Sequence, residues 1–335
     1  MGSDKIAAGR SEVGRQVALM VKGRRRGGAR RLLAALAASG VLAGTLAGCG
    51  GAPSAAPGPA KRILVVAGEN QYGNVAAQVG GRWVKVDSVE SNPSVDPHTY
   101  EPSPAVASEV AAARLVIQNG VGYDPFLNRL ESASSGAHRR VIDVQELLGL
   151  SASTPNPHLW YDPRTMPAVA DAIATDLGRI SPAHAAQFTA AAARFVAALA
   201  PWNRAITAFR HGHPAATAVS TEPVADYLLS AMGIANLAPF RFQADVMNGV
   251  DPTPQDIGLM RRLLAQHRVD FLAYNEQVVD PLTASLRSAA VHAGVPVVAV
   301  YETMPVPGYD YQTWMLAETH AIARAVTQRA STTHL

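Results

Sequence analysis

PAHAAQFTAAAARFVAALAPWNRAITAFR, residues 182–210, consists almost entirely of alanine and other good helix formers. Ser181 followed by Pro182 is a typical helix start. Four apolar residues recur near helical spacing: Phe188, Phe195, Leu199 and Ile206. The stretch predicts a long helix over residues 181–211, which Pro201 kinks or splits. A stiff helix in the middle of the chain predicts two lobes that move little relative to each other.

Strand and helix patterns alternate on both sides of this helix. Short apolar and β-branched runs predict strands at 62–68, 84–89, 114–120, 216–221, 269–275 and 295–301. Helix patterns stand between them at 74–81, 103–113, 225–233, 254–267 and 282–294. This alternation is typical of parallel sheets. We therefore predict an α/β fold with an N-terminal lobe over 61–180 and a C-terminal lobe over 212–330, each a parallel sheet flanked by helices, joined by one long backbone helix.

The N-terminus predicts export. Residues 22–31 are basic and residues 32–48 are small and apolar, so we interpret residues 1–48 as a signal peptide. It ends before Cys49, the single cysteine of the chain, in a sequence that resembles a bacterial lipobox. We predict that Cys49 is lipidated, with residues 49–60 as a flexible tether and the protein anchored on the outer face of the cytoplasmic membrane. The alternative for Cys49 is a buried free thiol, but the Gly/Ala/Pro/Ser-rich tether offers no core to bury it.

Removing the leader reverses the net charge. Nine of the 29 basic residues and two of the 26 acidic residues lie in residues 1–48. The remainder carries 20 basic and 24 acidic residues, a formal charge of −4. Because no basic stripe interleaved with aromatic residues is left, we exclude nucleic acid as a partner.

Two histidines and two acids follow strand patterns. Ligands of parallel α/β sheets collect beyond the carboxyl ends of the strands. His98 and His158 lie in proline-rich loops of the first lobe, as Asp-Pro-His and Asn-Pro-His. Glu222 and Glu302 directly follow strands of the second lobe. Two imidazoles and two carboxylates predict a divalent-metal site in the cleft.

Each of these residues has a structural alternative. A histidine in a loop is often a surface residue, and Glu222 before Pro223 is a normal helix entry. Glu302 has the same alternative as Glu222, since it could cap the turn that follows it. His211 and His213 are spaced like a metal clip, but we expect them to be solvent-exposed.

Seven motifs together resemble one family over residues 62–320. They are EN-x-YG (69–73), GG-x-x-V (80–84), DPH-x-YEPSP (96–104), NG-x-GYD (119–124), NPHLWYDP (156–163), YN-x-Q (274–277) and GVPVV-x-V-x-ET-x-P (294–305). In this combination and order the chain resembles the zinc- and manganese-binding solute-binding lipoproteins of bacterial metal ABC importers.

The resemblance implies two α/β lobes with one metal in the cleft and identifies His98 and His158 as the two ligands of the first lobe. It also implies an ABC permease and its ATPase as partners. We further expect a monomer that captures metal without catalysis. Glu222 stands where many zinc-specific members have a histidine, and Glu302 where an aspartate is common.

The predicted ligands do not determine which divalent metal binds. Two carboxylates with two imidazoles favour manganese or iron, whereas divalent affinity rises toward zinc in most nitrogen and oxygen sites. The resemblance implies that many relatives with the TEP and ETMP sequences bind zinc, so we favour Zn²⁺, with Mn²⁺ as the alternative. A secreted metallohydrolase remains a different candidate, although the chain has no HExxH motif or nucleophile elbow. A surface adhesin or metal buffer is a further one.

Overall fold

The computed structural model describes residues 62–134, 138–305 and 307–335. The predicted signal peptide, the lipidation residue Cys49 and the tether lie outside these ranges. No helix within the described ranges is both long and apolar enough to span a bilayer.

A four-stranded parallel sheet forms the centre of the first lobe. Its strands are β1 (Ile63–Glu69), β2 (Val84–Glu90), β3 (Leu115–Gln118) and β4 (Arg140–Asp143), in the order β2-β1-β3-β4. The helices of this lobe are α1 (Asn70–Gly80), α2 (Pro104–Ala112), α3 (Pro125–Ala133) and α4 (Val144–Leu147). Val65, Val66 and Ala67 in β1 are fully buried. Burial of consecutive residues is typical of a parallel sheet covered on both faces.

The connection between the lobes is helical and broken once. After α5 (Thr165–Ile180), a 3₁₀ turn leads into α6 (Ala185–Ala198), and Leu199 separates α6 from α7 (Ala200–Gly212). The break is the one that Pro201 predicts, because proline removes a helix hydrogen bond. The long connecting segment is thereby confirmed in its two-helix form.

Ser181 does not cap this segment as its sequence position predicts. Its Oγ lies 2.8 Å from Nδ1 of His184 and caps no backbone N–H. The Ser181 hydroxyl therefore contacts the His184 ring and does not cap a backbone N–H at the N-terminus of the helical segment.

The second lobe repeats the architecture of the first. Its strands are β5 (Thr217–Ser220), β6 (Ala235–Asn236), β7 (Phe271–Asn275) and β8 (Val297–Val300), in the order β6-β5-β7-β8. The helices are α8 (Asp226–Met232), α9 (Phe240–Met247), α10 (Pro254–Ala265), α11 (Pro281–His292) and α12 (Tyr311–Gln328). The predicted α/β fold of two parallel sheets flanked by helices is confirmed.

Polar contacts hold the carboxyl ends of the two sheets against each other. Asn70, directly after β1, exchanges two hydrogen bonds of 2.9 and 3.0 Å with the backbone of Met304, beyond β8. The Tyr161 hydroxyl donates to the carbonyl of Tyr301 at 2.8 Å. The Tyr311 hydroxyl donates back to the first lobe, to the carbonyl of Trp160. The loops beyond the strands of the two sheets therefore face one another across a cleft.

Candidate metal centre

His98 is presented by a rigid turn beyond β2. The Asp96 side chain accepts the backbone N–H of His98 at 2.8 Å, and Pro97 starts a 3₁₀ turn over Pro97–Thr99. An acidic side chain that caps its own turn, with a proline behind it, leaves the histidine few alternative conformations. The His98 side chain is 20% exposed.

The same device orients His158. The Asn156 side-chain oxygen accepts the backbone N–H of His158 at 3.0 Å and lies 2.8 Å from its ring Nδ1. An N–H at Nδ1 that is donated to this oxygen leaves Nε2 free to act as a ligand. The Nδ2 of Asn156 donates to the carbonyl of Pro223 at 2.8 Å, next to Glu222. Asn156 thus ties His158 to the second lobe.

The position of His158 differs from the predicted strand end. Strand β4 ends at Asp143, and α4 with a further loop separates it from His158. The loop returns to the cleft because Asn119 donates to the carbonyl of Pro157 at 2.8 Å. His158 therefore reaches the edge of the cleft on a long loop and not directly after a strand.

Glu222 and Glu302 each lie two residues beyond a strand, at β5 and β8. Asn275 is the last residue of β7, which lies between these two strands. Its Nδ2 donates to Oε1 of Glu302 at 2.7 Å and to Oε1 of Glu222 at 3.2 Å. Glu222 caps no helix, since α8 begins at Asp226 without a side-chain cap. One amide therefore orients both carboxylates.

Three of the four predicted site residues converge closely. The Nε2 atoms of His98 and His158 each lie 3.1 Å from Oε2 of Glu302. One potential ligand atom from each residue lies within 4.8 Å of the other two. The His98 contact lacks hydrogen-bond geometry, so Nε2 of His98 has no hydrogen-bond partner. Such a buried nitrogen, 3.1 Å from a carboxylate oxygen but not hydrogen-bonded to it, is suited to sharing a cation with that oxygen.

Glu222 stands just outside this triad. Its Oε2 is buried and has no hydrogen-bond partner, although its Oε1 is held by Asn275. The shared amide keeps the Glu222 carboxylate beside that of Glu302.

Aromatic rings close the rear of the site and leave the His98 side open. Tyr123 donates its hydroxyl to Oε2 of Glu302 at 2.9 Å. The rings of Tyr123 and Trp160 pack edge-on against His158, with centroid distances of 5.8 and 5.4 Å. On the open side, a cleft of about 760 Å³ between the lobes reaches His98. His98 is therefore the ligand candidate that solvent reaches.

Charge pairing sets the protonation of the triad. Burial alone would raise the pKa of Glu302, but the two imidazoles outweigh burial and lower it. For His98, burial acts to lower the pKa, yet Glu302 raises it above the usual value. Burial lowers the pKa of His158, which favours its neutral, metal-binding form. Burial and the nearby Glu302 charge raise the pKa of Glu222.

His211 and His213 lie outside this centre, at the end of α7. His211 is exposed, and the ring of His213 stacks on Phe209 at a centroid distance of 4.7 Å. The expected solvent exposure holds for His211, whereas His213 is only partly exposed because its ring packs on Phe209.

Two orienting residues, Asn156 and Asn275, had no role in the prediction. Asn156 could have been found from the sequence, because Asn-Pro-His repeats the pattern of Asp-Pro-His. Asn275 could not, because its role depends on the strand order, which places β7 between the strands that carry the two acids.

A pair of buried acids lies behind the site. Glu69 and Glu90 are paired in register at the ends of β1 and β2, and none of their carboxyl oxygens has a hydrogen-bond partner. Burial, with the nearby charges of Asp124 and Glu302, raises the pKa of Glu90 to about 9. Burial and Asp124 likewise raise the pKa of Glu69.

We expect Glu90→Gln to stabilise the protein at alkaline pH. Because the folded pKa of Glu90 lies above its ordinary value of 4.5, the stability that its protonated form contributes is lost as pH rises toward about 9. The variant avoids this loss, with a gain of up to about 1.4 kcal/mol per pH unit. Thermal unfolding at pH 5 and pH 8 measures the effect, which should be small at pH 5. Glu101→Gln, at an exposed acid, is the control. Equal unfolding shifts for both variants at pH 8 would contradict this account.

Fold and site together define a class of protein, a two-lobed α/β binding protein with imidazole and carboxylate donors in its cleft. The chain belongs to the ZnuA family, the periplasmic component A of a zinc-uptake complex, whose family model matches residues 65–325. The resemblance read from the seven motifs is confirmed by this match.

Relatives and solved structures agree with the family. The manganese-binding lipoprotein MntA of Bacillus subtilis (strain 168) is 28% identical over 149 residues, 43% of this chain and 48% of the relative. The MntA of Halalkalibacterium halodurans is 26% identical over 144 residues, 41% of this chain and 46% of the relative. The chain thus spans about half the length of the curated relatives it matches.

The fold is also that of solved binding proteins. FpvC of Pseudomonas aeruginosa in complex with Mn²⁺ has a TM-score of 0.67 at 20% identity, covering 80% of this chain and 100% of that one. The periplasmic zinc-binding protein TroA of Treponema pallidum has a TM-score of 0.64 at 19% identity, covering 81% and 100%. At these identities the likeness shows the fold.

Proposed function

We propose that this protein captures one divalent transition metal outside the cytoplasm and delivers it to an ABC permease. The observation that carries the proposal is the convergence of two imidazole nitrogens, from His98 and His158, on one carboxylate oxygen of Glu302 in the other lobe. Imidazole nitrogen and carboxylate oxygen together suit divalent transition metals. Both lobes contribute, so the metal binds across the cleft.

His98, His158 and Glu302 are the proposed ligands, and Glu222 is the fourth. The lone buried Oε2 of Glu222 supports this role, because a buried carboxylate oxygen without a partner is costly unless a cation compensates it.

Zinc is the metal we favour, and manganese is the alternative. Zinc accepts four ligands of this kind and binds most nitrogen and oxygen sites more tightly than manganese. Manganese is supported by the two carboxylates and by the names of the MntA relatives. The preference of the site for zinc or manganese thus depends on whether the carboxylate ligands or the imidazole ligands contribute more to metal affinity.

Metal competition tests the proposal. The leaderless protein from residue 61, purified without chelator, is expected to hold one zinc per chain, which excess manganese at neutral pH does not displace. Displacement of zinc by manganese would establish manganese as the captured metal, and the proposed function of metal capture would stand. The absence of stoichiometric binding of either metal would contradict metal capture.

The remaining parts of the proposal concern location and partners. Lipidation at Cys49 would hold the protein at the outer face of the membrane, and the name of MntA as a lipoprotein supports this. A permease and its ATPase are the partners that a component of an uptake complex requires. The protein is proposed to act as a monomer. It is also proposed to act without catalysis, since four protein ligands leave no open position for an activated water.

A further inference from the structure

Gln277 lies beyond β7, beside the candidate site but outside the ligand set. Its side chain is part of the YN-x-Q motif, and the residue is 7% exposed. Its backbone N–H donates to the Asn275 side chain at 3.0 Å, which fixes the start of its loop. Both ends of the Gln277 amide are then available for contacts within the cleft.

The oxygen of this amide holds the turn that carries Glu302. Oε1 of Gln277 accepts the backbone N–H groups of Glu302 at 2.7 Å and of Thr303 at 2.8 Å. The two donors belong to consecutive residues, so the oxygen fixes the direction in which the Glu302 side chain leaves the turn.

The nitrogen of the same amide reaches the other lobe. Nε2 of Gln277 donates to the carbonyl of Val95 at 2.9 Å, and to Oγ1 of Thr303 at 3.1 Å. Val95 lies three residues before His98, in the same loop. Within the described ranges, this is the single hydrogen bond from residues 91–100 to the second lobe.

We propose that Gln277 is a positioning residue that fixes His98 and Glu302 relative to each other across the cleft. The inference rests on the proposed metal site. His98 lies in the more exposed loop and makes no hydrogen bond through Nε2. The Glu302 carboxylate is also held by Asn275 and Tyr123. The His98 loop depends on Gln277 for its hydrogen bond to the second lobe, so the loss of Gln277 acts chiefly through His98.

A double-mutant cycle tests this role. Gln277→Met is neutral and of similar length but forms no amide hydrogen bonds. We expect it to weaken zinc binding about 10-fold in the leaderless protein, as is typical for residues that orient metal ligands. In a His98→Ala background the same substitution should cost less than about 3-fold, because the loop it positions no longer bears a ligand.

Gln312→Met is the matched control. Gln312 is 8% exposed and exchanges amide hydrogen bonds of 2.8 and 2.9 Å with Gln78 across the lobes, in a contact that involves no proposed ligand. It should change zinc affinity less than about 2-fold in either background. Hydrogen exchange of residues 95–100 is expected to accelerate in the metal-free Gln277→Met protein and to stay unchanged in Gln312→Met.

Equal losses of affinity from Gln277→Met in both backgrounds would overturn the positioning role and leave the metal site intact. If His98→Ala itself leaves zinc binding unchanged, the proposed site fails, and this inference fails with it. Should Gln277→Met not fold, Gln277→Asn keeps the amide but shortens its reach, and the same cycle applies to it.

Discussion

Replacing His158 with alanine is expected to weaken zinc or manganese binding by at least about 100-fold, or about 2.7 kcal/mol. The substitution removes one nitrogen ligand, and it leaves the buried carboxylate of Glu302 with only one imidazole partner. Because His158 is fully buried and its Nδ1 lies 2.8 Å from the Asn156 side-chain oxygen, its Nε2 is held in a fixed position in the site. Isothermal titration of the metal-free variant, or competition with a chelating dye, measures the loss.

His211→Ala provides the matched comparison for this prediction. It removes an imidazole of the same kind at an exposed position of α7 and should alter affinity less than about 2-fold. Unfolding curves of the two metal-free variants check that the His158 variant is folded. Similar affinities for both variants would contradict the assignment of His158.

Acidification is expected to weaken metal binding by about 10-fold per pH unit for each proton that the metal displaces. In the metal-free site, Glu302 outweighs burial and raises the pKa of His98, so this imidazole keeps its proton at mildly acidic pH. The pKa of Glu222 is raised by burial and by Glu302. The pKa of His158 is lowered by burial, and its neutral ring needs no deprotonation.

Metal affinity falls as pH falls, because the metal binds only the deprotonated ligands and acid restores the protons that compete with it. Between pH 7.5 and 5.5 the dissociation constant should rise by up to about 100-fold for each proton that the metal displaces. The measurement is metal affinity across this range at constant ionic strength. In Glu222→Gln, which has no proton to release there, log Kd should depend less steeply on pH, by up to about one log unit per pH unit. A dissociation constant that stays the same over these two pH units would contradict the proposed ligand set.

The sequence pattern predicted the strands that lie in longer apolar or alternating runs and missed β4 and β6, which do not. The runs of β1 and β8 carry consecutive buried valines, and hydrophobic pattern alone identifies them. Strand β4 is four residues with a charge at each end, Arg140 and Asp143, and β6 has two residues. Strands this short are specified by pairing with their neighbours, which a local pattern does not contain.

The candidate ligands were predictable because their positions follow from chain direction. Polar residues beyond parallel strands meet at one edge of a sheet, and this placed Glu222 and Glu302. The network that orients them was not predictable. The bridge from Asn275 to both acids depends on the strand order, and the reach of Gln277 to Val95 depends on how the lobes dock. Both contacts depend on the tertiary structure and cannot be predicted from residue spacing in the sequence.

Anomalous diffraction from crystals of the zinc-loaded leaderless protein tests the central claim most directly. We predict one strong peak in the cleft, within about 2.0–2.2 Å of Nε2 of His98, Nε2 of His158 and carboxylate oxygens of Glu302 and Glu222. A fully occupied zinc bound elsewhere, for example at His211 and His213, or no bound zinc at all, would contradict the account.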